Sequence, residues 1–240
     1  MDCAPQTNES EQRPAPEITE TVAGYDQVAA EFATRWGDLR LERELDTFTR
    51  YVSGQRRVLD LGCGPGRDVD FLTGLGCRVV GLDLSIGMLA EARRQLADAS
   101  LVRADLRQPP LASRSFDGVW ACASLLHLRR AQLPTALSEV ARLLRQPGGV
   151  LYLALKSGQG ERWIVRQSGR RSFFTYYQPT EIEAALQRAG FEILASWVSC
   201  DQAGRDEPWI NLIARVDAEK QTRDPPRCIR LPNDAHRDAL

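Results

Sequence analysis

A glycine-rich segment follows the first strand-like run of the chain, and its residue types are suited to ligand binding. Val58 to Asp68 reads VLDLGCGPGRD, with glycine at Gly62, Gly64 and Gly66. Glycine permits positive φ angles and lets a ligand approach the backbone closely. The apolar run indicates a buried strand, and the residues from Arg67 onward indicate a helix. The segment predicts a ligand-binding turn, or else a tight strand-to-helix connection that needs small residues.

The spacing of these glycines distinguishes between cofactors. A dinucleotide fingerprint, GxGxxG, that begins at Gly62 needs glycine at position 67, where this chain has Arg67. The observed pattern is GxGxG. The spacing therefore disfavours a nicotinamide oxidoreductase, which is the weakest of the enzyme hypotheses.

An acidic residue ends the second strand-like run. Asp83 is the penultimate residue of the segment VVGLDL. A carboxylate at the carboxyl edge of a parallel sheet can accept hydrogen bonds from both hydroxyls of a ribose. The alternative role for Asp83 is to cap the next helix, but Ser85 is better placed to cap a helix that starts at Ile86. We expect Asp83 to bind a ribose.

A second acidic residue follows the third strand-like run. Asp105 stands in the segment RADLRQPPL. Its carboxylate and the backbone amide of Leu106 are suited to the exocyclic amine and a ring nitrogen of adenine. Leu84 and Met88 are candidates for the apolar faces of that ring, although the pattern alone is also typical of core residues.

The order of elements predicts a helix-flanked parallel sheet. Strand-like runs alternate with segments whose apolar residues recur every three to four positions, as in Arg67 to Gly74 and Leu133 to Leu144. The last two runs, Glu192 to Ser199 and Trp209 to Val216, have no helix between them and should pair as an antiparallel hairpin. The expected fold class is α/β, with helices on both faces of the sheet. The five earlier runs are Val58 to Leu61, Val79 to Leu84, Leu101 to Leu106, Phe116 to Cys122 and Gly149 to Leu155.

Composition restricts the classes of partner. Lys and Arg number 31 against 32 Asp and Glu, so no global field steers the protein towards nucleic acid or an anionic membrane. The six cysteines include no CxxC pair, which predicts neither a zinc site nor a disulfide framework. No apolar run reaches the ~20 residues of a membrane helix. We expect a cytoplasmic protein without a metal; its oligomeric state has no signature in the sequence.

The two ends of the chain differ in composition from the middle. Residues 1–19 are rich in Pro, Glu, Gln and Asn, and residues 217–240 combine prolines with charges. Such segments have too little apolar surface to offset the entropy of ordering. We predict disorder in both and a folded domain over residues 20–216.

Several spaced motifs together resemble those of class I S-adenosylmethionine-dependent methyltransferases. They are LDLGCGPG, the acidic residue in GLDLS, the ADL segment, SFDGVWACASLLHL, and the PGG turn before GVLYLAL. The match covers about Tyr25 to Val216. The resemblance implies S-adenosylmethionine as cofactor and a Rossmann-like, seven-stranded, mostly parallel sheet. It also implies an antiparallel C-terminal strand, in agreement with the predicted hairpin.

The resemblance also implies roles for individual residues of the cofactor site. Asp83 takes the ribose, and Asp105 with Leu106 takes the adenine. The backbone carbonyl of Ala121, just past the fourth strand, holds the amino group of the cofactor. The methionine part of the cofactor is lined by Asp60, Gly62, Cys63 and Gly64. Gly66 completes the glycine motif.

His127 is the candidate catalytic base. The chain has two histidines, and His236 falls in the predicted disordered tail. An imidazole near the methyl-transfer site can act as a general base, which contributes about 10²- to 10⁴-fold to a rate. The alternative is that His127 packs against or caps a helix, and the sequence favours neither.

Aromatic residues precede the first strand at helical spacing. Tyr25, Phe32 and Trp36 recur at i, i+7 and i+11, which predicts one helix face. The resemblance implies a lid helix over about 24–52, with Tyr25 near the carboxylate of the cofactor. Phe32 and Trp36 are equally typical of buried helix contacts.

The segment from Lys156 to Pro179 mixes basic and aromatic residues and is predicted to overhang the substrate mouth. Arginines there are suited to an acidic group and aromatics to a flat or apolar body. The alternative is a solvated basic loop beside an aromatic strand edge. The residues concerned are Arg162, Arg166, Arg170, Arg171, Trp163, Phe173, Phe174, Tyr176 and Tyr177.

The sequence therefore predicts a methyltransferase that acts on an O, N, S or C nucleophile. Near-neutral charge and the short segment over the mouth favour a small-molecule acceptor. A tRNA or protein acceptor is supported only by the arginine cluster, and the charge balance disfavours nucleic acid. A third hypothesis is a regulatory subunit that binds S-adenosylmethionine without turnover.

Overall fold

The computed structural model describes residues 15–165, 169–200 and 207–217. The strands are β1 (Arg57–Leu61), β2 (Arg78–Asp83), β3 (Ser100–Arg103), β4 (Gly118–Cys122), β5 (Val150–Lys156), β6 (Glu161–Val165), β7 (Arg171–Thr175), β8 (Phe191–Ser199) and β9 (Trp209–Val216). Seven of them form one sheet in the order β3-β2-β1-β4-β5-β9-β8, and β6 pairs with β7 in a separate two-stranded sheet. The predicted fold class is confirmed.

The strands of the large sheet are mostly parallel, as the alternation of elements predicts. β1 pairs in parallel with β2 and β4, and every residue of β5 is buried. Strands covered by helices on both faces are expected to be apolar throughout. The helices are α1 (Pro16–Gln27), α2 (Ala29–Trp36), α3 (Glu42–Tyr51), α4 (Arg67–Gly74), α5 (Ile86–Gln95), α6 (Leu133–Leu143) and α7 (Pro179–Arg188).

The predicted C-terminal hairpin is confirmed. β8 and β9 pair antiparallel from Phe191 with Val216 to Ser199 with Trp209. β9 also runs antiparallel to β5, so β9 is the reversed strand of the sheet. This arrangement leaves β1 to β5 parallel, with their carboxyl ends at one edge.

Alternation of side chains along the strands divides the core into two layers. On one face, the rings of Trp120 and Tyr152 stack with their centroids 3.9 Å apart, and Phe48 of α3 packs edge-on against Trp120. On the other face, Leu59 and Leu61 belong to a larger cluster that includes α6 and α7. Both apolar layers pack against the faces of the sheet whose carboxyl edge carries the ends of β1 to β5.

The N-terminal region differs from the prediction in two respects. Helix α1 begins at Pro16, so the folded unit starts before residue 20, and Ile18 belongs to the core. The predicted lid helix over 24–52 is three helices, α1, α2 and α3. Apolar spacing shows which residues share a face but not where the chain bends, and the break falls at Val28 (φ −119°, ψ 14°). Residues 1–14 and 218–240, for which we predicted disorder, lie outside the described residues.

The segment predicted to overhang the mouth forms the β6–β7 hairpin. Its aromatic residues Phe173, Phe174, Tyr176 and Tyr177 are buried in the core or against it. Arg162 stacks over Tyr176, with the guanidinium carbon 4.0 Å from the ring centroid. This packing agrees with the alternative of an aromatic strand edge carrying basic residues. Arg166 lies outside the described residues.

Two further features bear on the predicted environment of the protein. None of the helices in the described ranges is long and apolar enough to cross a membrane. The four cysteines within those ranges, Cys63, Cys77, Cys122 and Cys200, are all free thiols.

Candidate functional site

A cavity opens at the carboxyl edge of the sheet, above β1, β2 and β4. Its walls come from the glycine turn, from the residues after β2, β3 and β4, and from helices α1 and α2. The space between the walls, including the open mouth, is about 1180 Å³.

The glycine turn forms the floor of the cavity. Gly62, Gly64 and Gly66 have φ values of +84°, +53° and +89°. A Cβ at Gly62 would lie 2.3 Å from Cβ of Ser124, whereas a Cβ at Gly64 would meet no protein atom within 4 Å. Gly62 therefore allows the turn to pack against the chain after β4. Gly64 leaves open space on the side where a ligand approaches.

Asp83 connects the glycine turn to the start of α5. Its carboxylate oxygens accept hydrogen bonds from the backbone amides of Gly64 (2.9 Å) and Ser85 (2.8 Å). Burial raises the pKa of Asp83, although these two hydrogen bonds act in the opposite direction. Ser85 caps α5 as predicted, because its hydroxyl accepts from the amide of Met88. The carboxylate is on the cavity wall, where the ribose role requires it.

Asp105 also lies on the cavity wall, beside Leu106. Its carboxylate accepts three hydrogen bonds from the guanidinium of Arg107, at 3.0, 3.1 and 2.6 Å, and one from the Arg107 amide. Burial acts to raise the pKa of Asp105, but the hydrogen bonds from Arg107 outweigh it and lower that pKa. Arg107 is a partner that the sequence reasoning missed. It fixes the orientation of the carboxylate.

Three residues predicted for the cofactor site do not line the cavity: Asp60, Gly66 and Ala121. Asp60 pairs in register with Trp120, so its side chain points to the sheet face that Trp120 occupies. Its Oδ2 atom is buried without a hydrogen-bond partner, and burial together with Asp68 raises the pKa of the carboxyl well above its usual range. Gly66 packs against α5, where a Cβ would lie 3.1 Å from that of Ala92.

Residues that the sequence reasoning did not select complete the floor. Asp68 accepts hydrogen bonds from Arg67, at 2.7 and 2.9 Å, and from the buried indole of Trp120 at 2.9 Å. After β4 the wall is made by Cys122, Ala123 and Ser124, which follow the predicted residue Ala121. Ala123 has a φ of +56°, an uncommon value for a residue with a side chain. In the sequence, Asp68 could have been selected as a site residue from its position at the start of the helix that follows the glycine turn.

The roof is formed by the aromatic residues of α1 and α2 together with the turn after β4. Tyr25, Phe32, Trp36 and His127 all line the cavity. The rings of Tyr25 and Phe32 meet edge-on with their centroids 5.7 Å apart. The predicted grouping of the three aromatic residues is therefore present, although they stand on two helices.

The residues of the cavity fit an adenosyl sulfonium cofactor. The Asp83 carboxylate, predicted to bind the ribose, stands at the end of β2. Asp105 and Leu106, predicted to bind the adenine, line the wall beyond β3. Met88 and Leu84 provide apolar wall between them. Gly64 offers backbone with no side chain in the way. Among the described residues, no group of three His, Cys, Asp or Glu side chains is arranged to hold a metal ion.

Comparison with other sequences identifies related proteins. A family model described as a methyltransferase domain matches residues 58–149. A malonyl-[acyl-carrier protein] O-methyltransferase of Yersinia pestis is 32% identical over 195 residues, which cover 77% of this chain and 67% of that protein. One from Enterobacter lignolyticus is 50% identical over 95 residues, or 40% of this chain and 37% of that protein. Against several such curated relatives, the chain spans about half of their length or less.

Comparison with solved structures identifies proteins that share the fold. A 1,6-didemethyltoxoflavin-N1-methyltransferase of Burkholderia thailandensis, solved with S-adenosylhomocysteine, superposes with a TM-score of 0.66 and 21% identity over 85% of this chain and 92% of that one. The [4+2]-cyclase SpnF has a TM-score of 0.66 and 20% identity over 85% of this chain and 98% of that one. The fold is thus shared by proteins named for different reactions.

Proposed function

Because this chain belongs to the class I S-adenosylmethionine-dependent methyltransferase family, we propose that it transfers the methyl group of that cofactor to an oxygen atom of its acceptor. The observation that carries the proposal is the position of Asp83. One carboxylate holds the amides of Gly64 and Ser85 and stands on the cavity wall. That geometry supports a ribose-binding role for the Asp83 carboxylate, which lies beside a backbone turn with open space at Gly64.

The chain's own residues are suited to binding and orienting the two reactants. Asp83 would hold the ribose, Asp105 and Leu106 the adenine, and the open backbone at Gly64 the methionine part. S-Adenosylmethionine supplies an activated methyl group on a positively charged sulfur. Tyr25, Phe32 and Trp36 add aromatic wall to the same cavity. Positioning of this kind contributes a large share of the acceleration in transfer reactions.

The names of the relatives support an oxygen acceptor. The Yersinia and Enterobacter proteins are named as malonyl-[acyl-carrier protein] O-methyltransferases. Two fungal relatives, each 31% identical over 57% of this chain, are also named O-methyltransferases. Malonyl-[acyl-carrier protein] is therefore the first acceptor to test.

The test is an assay for methyl ester formation. The protein is incubated with S-adenosylmethionine and malonyl-[acyl-carrier protein], and the carrier protein is then weighed by mass spectrometry. We expect the mass of one added methylene group on the malonyl form and none on the carrier protein without malonate. An unchanged malonyl form, with cofactor binding intact in the same preparation, would show that the acceptor is wrong.

A regulatory subunit is distinguished from an enzyme by a second assay. The protein is incubated in single-turnover amounts with S-adenosylmethionine labelled in the methyl group and with cell extract. Labelled product in the extract supports methyl transfer. Retained cofactor without labelled product supports binding alone.

A further inference from the structure

Both ring nitrogens of His127 are engaged by neighbouring groups. Nδ1 lies 2.7 Å from the carbonyl oxygen of Phe173. A carbonyl oxygen only accepts, so Nδ1 carries the hydrogen. In the neutral ring, Nε2 is then the acceptor, and it lies 3.1 Å from the hydroxyl oxygen of Tyr25. The Tyr25 hydroxyl therefore donates to Nε2, and the lone pair that a base would use is already occupied.

The surroundings of His127 also oppose protonation of the ring. Burial lowers its pKa to about 4, and the positive charges of Arg170 and Lys156 add to this effect, against the hydrogen bond to Phe173. The ring of Phe174 contacts the imidazole, with the centroids 4.8 Å apart. These groups come from α1, β5 and β7 and from the residue before β7. Burial, the two positive charges and the Tyr25 hydroxyl favour the neutral ring, and together they outweigh the hydrogen bond to Phe173.

The other candidate bases on the cavity wall are engaged as well. The carboxylate of Asp83 accepts from two backbone amides, and that of Asp68 accepts from Arg67 and Trp120. Asp105 is bound by Arg107. The two thiols of the wall, Cys63 and Cys122, have pKa values raised chiefly by burial, which keeps them protonated.

The hydrogen bonds of His127 join the roof of the cavity to the β6–β7 hairpin. Tyr25 stands on α1 and Phe173 on β7, and the imidazole bridges them. One turn earlier on α1, the hydroxyl of Thr21 accepts a buried hydrogen bond of 2.9 Å from the amide of Phe173. Helix and strand approach so closely that a Cβ at Gly24 would lie 2.7 Å from the carbonyl oxygen of Arg171. His127 thus fixes the Tyr25 side chain in a tightly packed interface.

We propose that His127 is a positioning residue that orients Tyr25 over the cavity. The neutral ring donates a hydrogen bond to the carbonyl oxygen of Phe173 and accepts one from the Tyr25 hydroxyl. Its part in methyl transfer, which rests on the function proposed above, is to hold this side chain and not to remove a proton.

The state of the ring is tested by nuclear magnetic resonance, without cofactor or acceptor. His236, outside the described residues, is replaced as His236→Gln so that the ¹⁵N-histidine-labelled protein has one imidazole. We expect the tautomer with hydrogen on Nδ1, and no titration from about pH 8 to about pH 5. Hydrogen on Nε2, or a titration near the ordinary histidine value of about 6.5, would overturn the assignment. This result is independent of whether the methyl ester assay succeeds.

The role of the residue is tested with two variants and their combination. His127→Asn keeps a donor near Phe173 and removes the acceptor for Tyr25, and Tyr25→Phe removes the same hydrogen bond from the other side. We expect similar reductions in kcat for methyl ester formation, a double variant no worse than either single one, and pH profiles of unchanged shape. A general base predicts a loss of about 10²- to 10⁴-fold in His127→Asn alone, with loss of the ascending limb of the profile. That outcome would refute the proposal.

Discussion

Asp83→Ala is expected to weaken the binding of S-adenosylmethionine by about 10²-fold or more. Each hydrogen bond to a charged group contributes roughly 1.5–3 kcal/mol, and two ribose hydroxyls lose their acceptor in this variant. The same change removes the acceptor of the Gly64 and Ser85 amides, so the turn loses the group that fixes it. Both losses weaken the binding of S-adenosylmethionine. The measurement is isothermal titration of the cofactor into each protein.

The matched control for this prediction is Asp98→Ala. Asp98 is exposed and lies outside the cavity wall. Its replacement by alanine changes the net charge by the same amount as Asp83→Ala does. We expect its affinity to stay within about threefold of the parent, since surface charges more than about 10 Å from a site are largely screened. Equal affinities for the Asp83→Ala variant and the parent would show that the ribose is bound elsewhere.

Gly62→Ala is expected to lower the free energy of unfolding by about 3 kcal/mol. A residue with a side chain in the left-handed region costs about 1–2 kcal/mol, and φ at Gly62 is +84°. Overpacking adds about 1–3 kcal/mol, because the new Cβ would lie 2.3 Å from Cβ of Ser124. Urea unfolding of the two proteins measures the difference.

Two further variants separate these contributions. Gly76→Ala places a methyl group at a similar φ of +82° but in open space, so we expect only the conformational part of the loss. In Gly62→Ala with Ser124→Gly, the clashing carbon is removed, and we expect part of the lost stability to return. If Gly62→Ala and Gly76→Ala destabilise the protein equally, contact with Ser124 is not the reason for glycine at position 62.

The elements around the cofactor site could be predicted because their signals are local. The predicted helix at Arg67 to Gly74 has the observed bounds, and β9 has the predicted bounds as well. The glycine turn follows β1 directly, so glycine spacing and strand pattern together located the floor of the cavity. The same reasoning placed Asp83 correctly on the wall, because the residue that ends a parallel strand reaches the carboxyl edge of the sheet.

The direction of a strand side chain could not be predicted from the motifs. Asp60 stands one strand residue before Leu61, and the alternation of side chains turns it towards Trp120. Motif resemblance gave no information on this orientation. Ala121 does not line the cavity either, since β4 continues to Cys122 before the chain turns. The role predicted for its backbone carbonyl stays a prediction.

Long-range contacts were beyond the reach of sequence patterns. The partners of His127 are Tyr25 and Phe173, which lie 102 and 46 positions away along the chain. The sequence therefore left its role open between base and packing residue. The division of the lid into three helices was missed for a simpler reason: apolar spacing continues across the break at Val28.

The measurement that tests the central claim most directly is a crystal structure of the protein with S-adenosylhomocysteine. We expect the ribose hydroxyls within hydrogen-bonding distance of the Asp83 carboxylate, the adenine beside Asp105 and Leu106, and the amino acid part above Gly64. Binding of the nucleoside away from the glycine turn, or a ribose without contact to Asp83, would contradict the account.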